Sequence, residues 1–338
     1  SHLFLLDVAT GEFVDLNEGN KEDVPPLALG SSNDYNFSSD GSEVAYALNP
    51  EFTKATSTNI EIYLASLTSP NTPKLISTSK GVDSQPVYSP DGNWITWTSM
   101  KRAGFEADKK DLILFDRITG EMINLTEDFE RSVDEIVWSP DSKVIYFIAG
   151  NEIYNSIYKL DVVEEEIEIF HKDNYNTGIQ ISKDGKTLYF LKQRTDLPAE
   201  IFSQSTDGKN TLKRVTFTNE EILSQLEMNP VETFWCEGAN GDKVQSIIVK
   251  PPFFDPNKKY PMMFLIHGGP QGAWEDNFHY RWNLQMFAGD GYVVVAPNPR
   301  GSTGYGQKFT DEISGDWGGK VYTDLMNSYD YALKNFSY

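Results

Sequence analysis

Up to about residue 218 the chain alternates apolar and polar positions in short runs, each introduced by the same kind of turn. The turns are Phe37–Gly41 (FSSDG), Tyr88–Gly92 (YSPDG), Trp138–Ser142 (WSPDS) and Ile181–Gly185 (ISKDG). Proline suits the second position of a type I turn, aspartate the third, and glycine the left-handed position that closes it. Ser142 stands where the other copies have glycine, so that turn is expected to be slightly strained or differently closed. A strand pattern follows each turn: Val44–Tyr46, Trp94–Trp97, Val144–Phe147 and Leu188–Leu191. A second signal, D-x-x-T-G-E, joins further strand pairs at Asp7–Glu12 and Asp116–Glu121.

The turn aspartates Asp40, Asp91, Asp141 and Asp184 are 51, 50 and 43 residues apart. Four short strands per period of that length predict β-propeller blades, and no 3.6-residue period supports a helical solenoid. Full blades are expected over 35–79, 86–127, 134–171 and 178–216, with only an outer hairpin at 2–17. Because a ring needs matched blades all round, the expectation is that two or three more precede Ser1. An open or four-bladed ring is the alternative.

The pattern changes after Thr218, giving an expected division into a partial propeller (1–218) and a mixed domain (219–338). Asn219–Leu226 suggests a short helix or linker. Glu232–Glu237 and Val244–Lys250 form a hairpin turned at Asn240-Gly241. Pro261–Ile266 and Tyr292–Ala296 are continuous apolar runs, as for strands buried on both faces of a mainly parallel sheet. Helical spacing marks Asn277–Ala288, through Phe278, Trp282, Met286 and Phe287. It also marks Lys320–Phe336, with Val321, Leu325, Tyr329, Ala332 and Phe336 on one face. The fold class is therefore a β-propeller followed by the first part of an α/β domain.

Composition narrows the chemistry. The net charge of −21 over 338 residues argues against nucleic acid as a partner. The apolar runs are far too short to span a bilayer, and Ser1–Asp7 carries no signal-peptide pattern. The single cysteine, Cys236, rules out an intramolecular disulfide and is expected to be a buried strand residue. His2 and His171 fall on expected propeller strands and His279 in the expected helix, without a metal-ligand spacing, so neither metal nor cofactor is expected. Glu164-Glu165-Glu166 is expected to be a solvated hairpin loop.

Candidate chemistry lies in three glycine-bearing loops. His267-Gly268-Gly269-Pro270 follows a strand, and its tandem glycines can present bare N–H groups to a ligand, as in the oxyanion loop of α/β-hydrolases. An ordinary strand-to-helix turn is the alternative. The loop Pro299–Gly306 holds Arg300 and Ser302. It lacks the G-K-[ST] of a phosphate-binding loop, and Arg300 occupies the first place of what would be a G-x-S-x-G elbow, which disfavours Ser302 as a nucleophile. Ser314–Gly319 is expected to be a turn before the last helix.

The stretch from Lys259 to Met326, with HGGP at His267–Pro270 and RGS at Arg300–Ser302, resembles the prolyl oligopeptidase family of serine peptidases, on the acylaminoacyl-peptidase and dipeptidyl peptidase V side. The propeller repeats are similar to that family's N-terminal domain. The resemblance implies a propeller joined to an α/β-hydrolase domain that acts on short peptides through a Ser-Asp-His triad. No G-x-S-x-G occurs in the 338 residues, so the triad is expected beyond Tyr338. What carries over is His267, Gly268 and Gly269 as the oxyanion-hole loop, with Gly269 N–H the donor, and Arg300 and Ser302 as supporting residues. Some branches of the family have a tyrosine hydroxyl at the position of His267; here a backbone donor takes the role.

Glu220-Glu221 are weighed as an anchor for a substrate amine, but their surroundings do not match the family's glutamate pair. The expected partners are short peptides and the missing N- and C-terminal portions of the same protein, with a homo-oligomer left open. A periplasmic or secreted location is expected, with the cytoplasm as the alternative. A non-catalytic binding propeller and an esterase on the same scaffold are the competing functions.

Overall fold

A computed structural model describes residues 1–31, 34–209 and 211–338. The chain packs as two compact units, residues 1–147 with 159–168, and residues 148–158 with 169–338. The division runs through the third repeat. The change of pattern after Thr218 lies inside the second unit.

In the first unit, β1 (Phe4–Leu6) and β2 (Phe13–Asp15) form an isolated hairpin. β3 (Tyr35–Phe37), β4 (Glu43–Leu48), β5 (Glu61–Ser66) and β6 (Ser69–Leu75) make the first blade. β7 (Asp83–Tyr88), β8 (Trp94–Met100), β9 (Lys110–Asp116) and β10 (Met122–Asn124) make the second. β11 (Asp134–Trp138) opens the third, which continues through β12 (Val144–Asn151), β13 (Tyr154–Asp161) and β14 (Ile167–His171). The period-2 pattern explains the packing, as β4 shows. Ala45 and Ala47 face a core shared with Ile60, Ile62, Ile95 and Trp97, while Val44, Tyr46 and Leu48 face one shared with Leu16 and Val24. His2, expected on a strand, lies before β1, where Asp15 Oδ2 (2.7 Å) and Asn20 O (3.0 Å) hold its ring.

The repeated turns share one hydrogen-bond arrangement. Ser38, Ser89, Ser139 and Ser182 each donate Oγ–H to the turn aspartate two residues on, at 2.6–2.7 Å. Each Oγ also accepts the amide five residues on, at 2.9–3.0 Å. With Ser38 and Ser42 donating to it, Asp40 is held down to about 2. Ser142 adopts the left-handed conformation of the missing glycine (φ 58°), and its Oγ accepts from Asp91 N at 3.0 Å. The D-x-x-T-G-E signal is likewise local: Oδ1 of Asp7 and of Asp116 each accepts two amides at 2.7–3.0 Å. Asp161 does the same for Val163 and Glu164, so the exposed Glu164–Glu166 loop is a third copy, with Glu165 at the left-handed position (φ 55°).

In the second unit, β15 (Tyr175–Ile181), β16 (Thr187–Arg194), β17 (Leu197–Ser205) and β18 (Lys213–Arg214) form the fourth blade as an antiparallel run. α1 (Glu220–Leu223) is the short helix expected after it. A four-stranded sheet follows, made of β19 (Glu232–Glu237), β20 (Lys243–Val249), β21 (Met262–Phe264) and β22 (Val293–Asn298), in the order β19-β20-β22-β21. Asn240 and Gly241 both take positive φ at the β19–β20 turn, as the Asn-Gly signal requires. α2 (Leu284–Gly289) covers one face of the sheet with Ile247, Val294 and Ala296. α4 (Lys320–Asn335) covers the other with Phe234, Cys236, Val293 and Val295. The short α3 (Gln307–Asp311) precedes α4.

Three sequence expectations in this unit need correction. The Pro261–Ile266 run yields only three strand residues, all half-buried, because β21 is the edge of the sheet. The Asn277–Ala288 helix shrinks to Leu284–Gly289, because Asn283 caps it by accepting Gln285 N. Ahead of that cap, His279 is no helical residue: its Nδ1 accepts the amides of Arg281 and Trp282, which closes a turn. On α4 the deeply buried residues are Asp324, Ser328 and Ala332; of these Ala332 belongs to the apolar face read from spacing, whose other members are half-buried. Polar groups can be buried there because each has a buried partner, Ser328 Oγ meeting Ser246 Oγ at 2.6 Å.

Candidate active site

Because β21 and β22 run parallel, with Phe264 opposite Val295, the loops that follow them leave the sheet at the same end. Ligands of open α/β sheets gather at that end. It brings together His267–Pro270 and Pro299–Gly306, which are far apart in sequence. Thr303 N donates to Gly272 O at 3.1 Å and joins the two loops directly.

Gly268 and Gly269 are exposed, and among the described residues neither amide donates to a protein acceptor. Gly269 sits at φ 137°, and a Cβ there would come within 2.8 Å of Gln271 N, so only glycine fits. His267 turns back from this loop, with Nε2 3.0 Å from Ser302 Oγ. Ser302 Oγ donates to Pro299 O at 2.6 Å, so the imidazole Nε2–H is the donor in the contact with Ser302. The other nitrogen, Nδ1, lies 3.1 Å from Gly268 O, which favours a second proton, but burial outweighs it and lowers the pKa of His267.

Ser302 and His267 are at the separation of a nucleophile and its base, yet Ser302 is 0 % exposed and its proton is committed to a backbone carbonyl. Ser302 fixes His267 instead. Arg300 is as deeply buried. Its guanidinium donates from Nε and Nη2 to Asp324 at 2.7 and 2.9 Å, from Nη1 to Glu312 at 2.5 Å, and from Nη2 to Ala239 O at 2.9 Å. None of these partners belongs to the His267–Pro270 loop; Arg300 ties its own loop to α4.

The residues that hold the site and were not read from sequence are Asn298, Trp274 and Tyr305. Asn298, the fully buried last residue of β22, accepts Trp274 N at 2.7 Å and donates to Trp274 O at 2.9 Å and Tyr305 OH at 2.8 Å. Trp274 Nε1 donates to Leu265 O at 3.0 Å, and its ring meets His267 edge-on. The loop is pinned again at Asp276, whose carboxylate accepts from Thr195 and Asn174. Between these two anchors, burial pushes Glu275 up to about 7. The signal for Asn298 was a polar residue ending an apolar run, but its partners are distant in sequence. Glu220 and Glu221 are exposed, and Glu220 pairs with Arg214 at 3.0 Å. Cys236 is buried, which pushes its thiol up to about 11. Among the described residues no group of three or more His, Cys, Asp or Glu side chains could hold a metal ion. No described helix is long and apolar enough to cross a membrane.

Residues 35–224 match the TolB beta propeller domain, and residues 278–338 match the prolyl oligopeptidase family. Dipeptidyl-peptidase 5 of Porphyromonas gingivalis is 34% identical over 330 residues, covering 97% of this chain and 48% of the relative. Dipeptidyl-peptidase 5 of Trichophyton equinum is 33% identical, covering 93% of this chain and 45% of its own. Among solved structures, Pyrococcus horikoshii acylaminoacyl peptidase superposes with a TM-score of 0.76 at 20% identity, over 98% of this chain and 48% of that one. That likeness extends to the fold. The chain spans about half the length of the curated relatives it matches.

Proposed function

Since this chain belongs to the prolyl oligopeptidase family, we propose that it is part of a serine peptidase that cleaves short peptides, and that it supplies the oxyanion-hole loop of the active site. The observation that carries the reading is the pair of free amides at Gly268 and Gly269, beside His267, where the parallel strands β21 and β22 end. The acyl oxygen of a bound peptide would take up negative charge on attack, and a fixed N–H at Gly269 would stabilise it more than the neutral carbonyl. The attacking serine, its histidine and the orienting aspartate would follow Tyr338 in the order usual for α/β-hydrolases. The names of the relatives favour release of dipeptides or acylamino acids.

The test is to treat the complete natural protein with a fluorophosphonate probe and map the label. Labelling of a serine beyond residue 338, with hydrolysis of aminoacyl or dipeptidyl amides in preference to simple esters, is the expected result. A folded protein that stays unlabelled overturns the peptidase reading. Preference for esters would make it an acyl hydrolase of another kind.

A further inference from the structure

Among the described residues neither glycine amide of the His267–Pro270 loop has a protein acceptor, so the place of these donors is inherited from the flanks of the loop. On the near side the chain leaves the sheet at Leu265, whose amide donates to Val295 O at 2.9 Å. On the far side it runs without strand or helix until α2 begins at Leu284. Two blade turns of the second unit take hold of it there.

Asp276 is the residue they grip. Its carboxylate is buried, and neutral donors satisfy both oxygens: Thr195 N and Oγ1 reach Oδ1 at 2.9 and 3.0 Å, and Asn174 Nδ2 reaches Oδ2 at 2.7 Å. The amide of Asp276 donates to Ile153 O at 2.8 Å, and Phe278 N donates to Gln193 Oε1 at 3.2 Å. Thr195 lies in the β16–β17 turn and Ile153 in the β12–β13 turn. The latter also meets the other site loop. Glu152 N donates to Gly304 O at 2.9 Å, and a Cβ on Gly304 would stand 2.8 Å from Glu152 O. One blade turn therefore bears on both loops of the candidate site.

We propose that these blade turns brace the oxyanion-hole loop, with Asp276 as the positioning residue, an inference that rests on the peptidase reading above. Neutral donors around a buried carboxylate fix it by direction rather than by net charge. Asp276 touches no reacting atom; it acts through Trp274, two residues away, which Asn298 holds to the sheet. Placement matters because a shift of about 1 Å in a catalytic donor costs about a hundredfold in rate.

The experiment combines hydrogen exchange of the complete natural protein with kinetics on the p-nitroanilide of alanylalanine. In Asp276→Ala the amides of residues 274, 276 and 278 should exchange about tenfold faster, with those of β20 unchanged. Its kcat should fall about tenfold, with KM within about threefold. Asp276→Asn still offers an oxygen to Thr195, and Asn174 can turn its own amide to face the new NH₂, so this variant should recover most of kcat. Asn174→Gly suits the φ of 68° at that half-buried position and removes one donor. It should shift exchange and kcat the same way even if Asp276→Ala fails to fold. Exchange unchanged at 276, faster exchange that stops short of Trp274, or a loss confined to KM would each overturn the proposal. So would an Asp276→Asn variant as slow as Asp276→Ala, because Asp276 would then act through its charge. A parent protein that hydrolyses no amide overturns the peptidase reading instead, and exchange alone then decides the brace.

Discussion

Arg300 and Asp324 form a forked ion pair with both side chains fully buried, at 2.7 and 2.9 Å, and the same carboxylate accepts the backbone amides of Arg300 and Ala239. One aspartate on α4 thus fixes the start of the loop after β22 and the turn after β19. Asp324→Asn keeps an acceptor for the amides but leaves the guanidinium short of charge. Urea unfolding should show a loss of about 3–5 kcal/mol. Arg300→Met added to it should recover part of that loss, and a double variant less stable than Asp324→Asn alone would contradict this account.

Gly301 carries the same loop past Ile313. A Cβ there would sit 2.8 Å from Ile313 Cβ, at φ 96°. Gly301→Ala should cost about 2–3 kcal/mol, combining backbone strain and overpacking. Gly289→Ala is the control: it ends α2 with open space around it and should be neutral or slightly stabilising. Thermal melts of the two variants separate a close-packing requirement from a general intolerance of alanine.

Ser302→Ala tests whether that hydroxyl attacks or positions. The contact with His267 and the bond to Pro299 O would go, at about 1–2 kcal/mol of stability. In the complete protein, fluorophosphonate labelling should survive the substitution. Loss of label with the fold intact would make Ser302 the nucleophile.

Glu275 gives a pH dependence with a definite sign. Its carboxyl titrates near 4.5 when unfolded and about 7 in the fold, because burial disfavours the charged form. The folded state therefore holds this proton across that window, and stability falls as pH rises through it. Glu275→Gln should flatten the decline, so the melting temperature of the variant relative to the parent should rise from pH 5 to pH 7.5. A constant difference would mean that Glu275 keeps its ordinary value.

These sites differ in how far the sequence discloses them. The blade turns were legible because the serine, the aspartate and the amide that close each lie within six residues, as in Ser89–Trp94. β22 was legible because both of its faces are covered, so its apolar run is unbroken. The HGGP and RGS motifs were visible, and their meeting follows from one parallel strand pair. What spacing could not reveal was polar burial with a remote partner. Asp324 lies off the apolar face read on the last helix, and its partner Arg300 is 24 positions away. Asn298 falls just past the Tyr292–Ala296 run, where spacing does not single it out, although it organises Trp274 and Tyr305. The helix over 277–283 failed because His279 and Asn283 use their side chains to hold amides in turn and cap geometry.

The serine–aspartate turns have a kinetic corollary. Since the serine–aspartate and serine–amide bonds of each turn close within its own few residues, its hairpin needs no distant strand in order to close, and loop-closure entropy stays small. Assembly can therefore begin independently at several points along the chain, and a fault in one turn slows its own hairpin without withholding a starting point from the others.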